Sequence, residues 1–224
     1  MSPVKLATIA DVHSPKFLNE FKTALSNCTP PDLFLFAGDM VNRGKVNEYS
    51  NVLDTVESQL GSDFPILACF GNEDPLDIRD ELNLTTKDRL TFLDERSITL
   101  TLSGSRIAIV GMSSFSAELL NAQSSAAAEM RTIFEERALQ LSRLLQDASS
   151  SSDYLILLMH FSPLRETNPT EFSWWVSRAV ETYPPNLIIH GHIHNSIRNK
   201  VEIGATTIRN VALPAIGSIT ELNL

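Results

Sequence analysis

Two cysteines in 224 residues, Cys28 and Cys69, are too few and too far apart to form a disulfide framework. Cys69 falls inside an apolar run and reads as a small buried hydrophobe. No apolar run reaches the length of a membrane span, and Met1-Ser2-Pro3-Val4-Lys5 lacks the apolar core of a secretory signal. The expectation is a soluble, cytoplasmic protein without a membrane partner. Basic residues are outnumbered, 18 to 27, and the net charge of -9 disfavours nucleic acid as a general partner, although a local cationic site could still hold a phosphate. There is no internal repeat. A homo-oligomer is left open.

What the chain does have is a series of strand-length apolar runs alternating with helical patterns, the signature of an α/β protein. Runs are expected as strands at Val4–Ala10, Leu33–Gly38, Pro65–Phe70, Tyr154–Met159 and Leu187–His190. Helical patterns lie in Pro15–Asn27, with Phe17, Phe21 and Leu25 on one face, and in Val46–Leu60, Glu129–Gln146 and Thr170–Tyr183. Trp174 and Trp175 are adjacent, so one helix face cannot hold both, and one is expected in the core and the other on a rim. Arg96–Met112 reads as two strands joined at Ser103-Gly104-Ser105, and Ser113–Ser125 as a polar loop able to cover a site. Ala148–Ser152 reads as a linker and Ser196–Leu222 as a β meander with turns at Gly204 and Gly217. Because the candidate site draws on both halves, residues 1–224 are expected to form a single domain.

The chemistry sits where these strands stop. In α/β proteins ligands bind beyond the carboxyl ends of strands. Asp39 is the first charged residue after the Leu33–Gly38 run. Asp11 and His13 follow the first strand, two positions apart, so extended backbone points both side chains the same way. Gly71-Asn72 ends the third strand and offers an amide oxygen suited to a hard or borderline cation. His160 follows the Tyr154 run, and His192 and His194 follow Leu187–His190. Of five histidines, four fall directly after apolar runs, whereas His190 lies inside its strand and reads as structural or supporting.

In this order the motifs Asp11-Val12-His13, Gly38-Asp39, Gly71-Asn72-Glu73-Asp74, His160 and Gly191-His192-Ile193-His194 resemble the calcineurin-like metallophosphoesterase superfamily, and its compact microbial members in particular. The resemblance implies a four-layer α/β/β/α sandwich, two mixed sheets flanked by helices. It also implies two divalent metals, one on Asp11, His13, Asp39 and His194 and the other on Asp39, Asn72, His160 and His192, with Asp39 shared. Mixed nitrogen and oxygen ligands suit Mn, Fe or Zn, and Mn is favoured here. The implied reaction is in-line attack of a metal-bridging hydroxide on a small phosphate ester; a Glu73 carboxylate, which would repel a dianionic monoester more than a monoanionic diester, favours a diester over a monoester.

Two positions depart from the pattern together. Glu73 stands where the superfamily usually has a catalytic His, and Asn42 where its phosphatases have the Asp that orients that His. Glu73 and Asn72 are therefore the candidate catalytic residues. Arg43, which matches a phosphate-gripping Arg, and Asn42 are the candidate substrate contacts. The alternative reading is a non-catalytic scaffold on the same metal-binding fold, as in the retromer subunit that resembles these enzymes. The physiological substrate is not legible in the residues.

Overall fold

A computed structural model of the chain describes residues 3–114, 127–165, 168, 170–196 and 198–224, without the side chains of 127–130. The expected covering loop at 113–125 therefore lies outside the described residues beyond Ser114.

The run Leu33-Phe34-Leu35-Phe36-Ala37 is apolar at every position because it is buried on both faces as strand β2 (Leu33–Ala37). Its side chains alternate between two cores. Phe34 and Phe36 face one set of helices, while Leu33, Leu35 and Ala37 face a second sheet. Around β2 lie β1 (Lys5–Ile9), β3 (Ile66–Cys69) and β4 (Thr91–Phe92), all parallel, with β11 (Thr220–Asn223) antiparallel to β1. This sheet runs in the order β11-β1-β2-β3-β4. The second sheet runs β5-β6-β7-β8-β10-β9, with β5 Arg96–Leu102, β6 Ser105–Met112, β7 Tyr154–Met159, β8 Leu187–His190, β9 Lys200–Ile203 and β10 Thr206–Asn210.

Three apolar cores separate four layers. Helices α1 (Leu18–Leu25), α2 (Val46–Leu60) and α3 (Arg79–Thr86) pack on the first sheet through Phe21, Tyr49, Val52, Leu53 and Leu82. The two sheets meet through Leu35, Leu67, Ile109, Ile156, Leu158 and Ile189. Helices α4 (Ala127–Ser149) and α5 (Trp174–Thr182) close the second sheet through Leu141, Leu145, Trp175 and Val176. The α/β/β/α sandwich of two mixed sheets is thus as expected. No helix of the described residues is long and apolar enough to cross a membrane.

Two local expectations are corrected. Ala148 is not in a linker: α4 runs on to Ser149, and Ala148 is buried in the outer core. The last segment is not a simple meander. β9 and β10 form a hairpin at Gly204, but β10 then pairs parallel with β8. The chain next passes through α6 (Leu213–Ile216), turns at Gly217 (φ 72°) and inserts β11 beside β1 in the other sheet. The crossing is held by main-chain bonds from Ala10 N to Val211 O (3.1 Å) and from Leu213 N to Ala10 O (2.9 Å). Helix α3 and the 3-10 turn before it at Leu76–Ile78, for which the residue pattern gave no expectation, carry no apolar stripe, because Arg79 and Thr86 occupy two of the three buried helix positions beside Leu82.

The two tryptophans divide as their spacing predicts, Trp175 being 8 % exposed and Trp174 51 %. Trp175→Ala should cost about 3–5 kcal/mol in urea unfolding, and Trp174→Ala less than about 1 kcal/mol. Equal losses would place both rings in the core and overturn this division.

Candidate metal centre

Every candidate ligand lies just beyond a parallel strand, and the two sheets bring these strand ends together. On the first sheet the loops after β1 and β2 are laced by main-chain bonds: Asp11 N to Gly38 O (3.1 Å), His13 N to Asp39 O (3.0 Å), Ser14 N to Met40 O (3.0 Å) and Asn42 N to Ser14 O (3.1 Å). On the second sheet Gly191 N donates to His160 O (3.1 Å), which ties the end of β8 to the end of β7. Side chains then bridge the sheets. His160 Nδ1 lies 2.8 Å from Ala37 O, His192 N donates to Asp11 Oδ2 (2.8 Å), and His194 Nε2 lies 2.9 Å from Asp11 Oδ1.

This convergence is held in unusual backbone. Asp11 (φ 60°), His13 (φ 45°), Asp39 (φ 53°) and His192 (φ 69°) all occupy the left-handed region. Such residues cost on the order of 1–3 kcal/mol each and gather at functional sites. Close approach also demands glycine. A Cβ on Gly71 would lie 1.9 Å from Asp39 Oδ1, and one on Gly191 would lie 2.4 Å from Asp11 Oδ2.

The donor atoms fall into two overlapping groups, Asp11/His13/His194 and Asp11/Asp39/His160, each with its atoms within 4.8 Å of one another. Asp11 is common to both. Asp39 reaches both as well, its Oδ2 lying 3.9 Å from His13 Nε2 and 3.3 Å from His160 Nε2. Asn72 Oδ1 joins the second group, 2.9 Å from His160 Nε2. The His192 ring is beside that group but outside it, packed on His160 (5.2 Å between centroids) and Phe161 (4.6 Å). His190 is buried behind them, its Nδ1 2.9 Å from Gly191 O.

Two observations indicate room for cations. His13 Nε2 is buried with no hydrogen-bond partner, yet faces Asp11 Oδ1 at 3.5 Å. His160 Nδ1 must donate to the Ala37 carbonyl, which leaves Nε2 aimed at two acceptors, Asn72 Oδ1 and Asp39 Oδ2. Without a cation that nitrogen needs a second proton. Burial pushes the His160 imidazolium down, but the Asp39 carboxylate and its hydrogen bond prevail and raise it to about 9. Asp11 shows the matching effect. Burial would raise it, but the facing His13 imidazole and the bond to His194 hold it well below the usual carboxylate range. His194 is raised by its bond to Asp11, and His192 is lowered by burial and by the nearby His160. The residues present therefore fit divalent metal, with buried carboxylates, an amide oxygen and imidazoles converging on one place.

The remaining candidates lie beside this cluster. Glu73 N donates to Asp39 Oδ1 (2.8 Å), but the Glu73 carboxylate turns away and accepts the Arg43 N–H at 2.8 Å. Asn42 belongs to the laced loop. Arg43 (φ 49°) is exposed, and its guanidinium has no ion pair among the described residues.

Sequence reasoning missed the supports. Asp74 is 1 % exposed and accepts Gly71 N at 2.8 Å; burial and the Asp39 charge raise its carboxyl to about 7. Arg79, stacked on Phe70 at 4.7 Å, donates to Asp74 O and Ser114 O. Asn210 donates to Ile193 O (2.8 Å) and so braces the His192–His194 turn. The Asp at the end of Gly71-Asn72-Glu73-Asp74 was the one available signal for these.

Comparison with known proteins agrees with this geometry. The family model described as calcineurin-like phosphoesterase matches residues 4–196. Among curated protein sequences none matches the chain significantly. Among solved structures, TT1561 of Thermus thermophilus is similar over 99 % of both chains at 12 % identity and a TM-score of 0.59. A structure described as a putative 5'-nucleotidase from Staphylococcus aureus, in complex with alpha-ketoglutarate, covers 93 % of this chain with 48 % of its own (12 % identity, TM-score 0.56). A purple acid phosphatase from yellow lupin (Lupinus luteus) seeds covers 96 % with 44 % of its own (14 % identity, TM-score 0.53). At these identities the structural matches speak for the fold.

The His160 environment has a consequence for stability. Its pKa in the metal-free fold, about 9, exceeds the ordinary 6.5, so its contribution is complete below pH 6.5 and lost as pH rises through 9. Chelator-treated protein should lose about 3 kcal/mol of urea stability over that window, and excess Mn²⁺ should remove the dependence. A flat profile in chelator would rule out a protonated His160.

Proposed function

The chain belongs to the calcineurin-like phosphoesterase family, and from that premise we propose that it is a phosphodiesterase working with two divalent metals. The observation that carries this is the meeting of two buried carboxylates with imidazoles and an amide at five strand ends, where His160 Nε2 faces only acceptors. In this reading Asp11, His13, Asp39 and His194 hold one ion and Asp39, Asn72, His160 and His192 the other. Carboxylate and amide oxygens favour Mn, and the imidazoles extend the range to Fe and Zn. When bound, such a pair supplies Lewis acidity and neutralises charge during in-line displacement at phosphorus. The protein is further proposed to be cytoplasmic and to act on small phosphate esters.

The chain's own groups supply orientation and selectivity. Arg43 is free to grip the phosphate that reacts. Glu73 is committed as an acceptor by the Arg43 N–H, which fixes the 42–44 loop. A carboxylate so engaged is no proton donor to a leaving group, and its charge opposes a dianionic monoester more than a monoanionic diester. The preference for diesters with good leaving groups follows. The scaffold reading draws its support from the same pair, Asn42 and Glu73, where the family pattern is altered.

Mn-loaded protein should hydrolyse bis-p-nitrophenyl phosphate, elemental analysis should find two metals per chain, and His160→Ala should abolish turnover in a protein with an unchanged circular-dichroism spectrum. One metal at saturation would remove the dinuclear reading. Metal-loaded protein inert with every divalent ion would favour the scaffold.

Glu73→Gln keeps an acceptor for Arg43 N and removes the charge. It should retain diester turnover within about threefold on a nitrophenol leaving group and improve monoester turnover. A loss of about 10²–10⁴-fold confined to poor leaving groups would instead make Glu73 the general acid.

A further inference from the structure

The loop after β1 carries a second cation that the reading above leaves without a role. Lys16 is exposed, and among the described residues its ammonium has no ion pair. It is nonetheless placed. Its N–H donates to His13 O at 2.8 Å, which fixes its backbone against the candidate ligand. Its Nζ lies 4.5 Å from the centre of the Phe17 ring, and that ring meets His13 edge-on at 6.3 Å. Ammonium, phenyl and imidazole thus form a file leading inward to Asp11 and Asp39, which lie 3.5 and 3.9 Å from His13 Nε2. His194 lies toward the open side of the cluster, with its side chain 36 % exposed.

We propose that Lys16 recognises a second anionic group of the substrate, separate from the phosphate that is cleaved. This inference rests on the phosphoesterase reading of the site. The reacting phosphate belongs against the carboxylate and imidazole cluster, and Arg43 stands on the adjoining loop, joined to the first by the Ser14–Val41 bridge. Lys16 is one ring further out, beyond Phe17, where it meets what is attached to that phosphate. The face of a phenyl ring attracts and steadies an ammonium without neutralising it. The lysine therefore keeps its charge for a ligand while its long stem is held in one region. In a chain of net charge -9, a held and unpaired cation beside the site favours a doubly anionic ester over a neutral-tailed one. The substrate class is a phosphate ester whose other arm carries a carboxylate or a second phosphate within a few bonds.

The test compares two ligands that differ only in that second charge. Calorimetry on Mn-loaded protein measures ethylphosphonate and 3-phosphonopropionate, neither of which can be hydrolysed. The longer ligand should bind about tenfold tighter to the wild type, the scale of one well-placed charge pair. Lys16→Met should weaken 3-phosphonopropionate about tenfold and ethylphosphonate less than twofold, and Lys16→Arg should restore most of the difference. Equal affinities in the wild type, no binding of either ligand, or the same loss on both in Lys16→Met overturns the proposal; the last would reduce Lys16 to long-range attraction. Turnover of methyl p-nitrophenyl phosphate by the wild type tests the enzyme reading separately. A charge-dependent binding difference without turnover would sink that reading and leave the anion site standing.

Discussion

Two carboxylates, Asp11 and Asp39, lie 0 % and 2 % exposed at the junction of the two sheets, and the rest of the site is arranged around their compensation. A buried carboxylate without partners is costly enough to be neutralised instead. Here neutralisation comes from the opposite sheet. Asp11 receives His192 N and His194 Nε2, and Asp39 faces His160, which is itself anchored across the sheets on Ala37 O. The inter-sheet core brings these strand ends to one place, and the charges at the ends fasten the sheets where the apolar contacts stop. Packing and electrostatics therefore depend on one another at this edge.

Much of this was legible in the chain because the strands have two buried faces. Runs such as Leu33-Phe34-Leu35-Phe36-Ala37 and Tyr154-Leu155-Ile156-Leu157-Leu158-Met159 contain no polar interruption. The first Asp or His beyond each run is therefore conspicuous, and placing it at a strand end needs only the period of the strand. Helix α3 was not legible for the converse reason, since its buried face includes Arg79 and Thr86 and gives no hydrophobic period. Nor could the crossing of β11 be read. A four-residue strand that packs beside β1 looks locally the same as one continuing a hairpin. Strand partners are long-range facts, and Thr220–Asn223 has no pattern that specifies them.

The geometry adds detail that motif order does not carry. Position in the pattern makes Asp39 the shared ligand, yet Asp11 is the carboxylate common to both donor groups. Asp39 faces His13 at longer range than Asp11 does, 3.9 against 3.5 Å, and is the carboxylate 3.3 Å from His160. Glu73 is a clearer instance. Its residue type suggested chemistry, whereas its carboxylate closes the loop at Arg43. The paired change at Asn42 and Glu73 then has a physical sense. With Asn42 there is no carboxylate at that position to orient a histidine, and Glu73 supplies a side-chain acceptor for the Arg43 main-chain N–H that a neutral ring in its place would offer less strongly.

The site also explains where this fold carries its strain. Asp11, His13, Asp39 and His192 are all left-handed, and Gly71 and Gly191 sit where a single methyl would collide with one of the two carboxylates. Each feature works against folding, by on the order of 1–3 kcal/mol for each strained residue. None of the four is a glycine, which would have relieved the strain but removed the candidate ligand atom. The side chains are therefore kept for what they face. The buried Asp74, raised to about 7 and bound to Gly71 N, adds a further unfavourable group directly beneath the same loop. The unpartnered His13 Nε2 and the like-charged carboxyl pair become less costly when positive charge lies among them, and that gain offsets the backbone strain. Divalent cations bound there would stabilise the folded chain at the very place where its own residues oppose it.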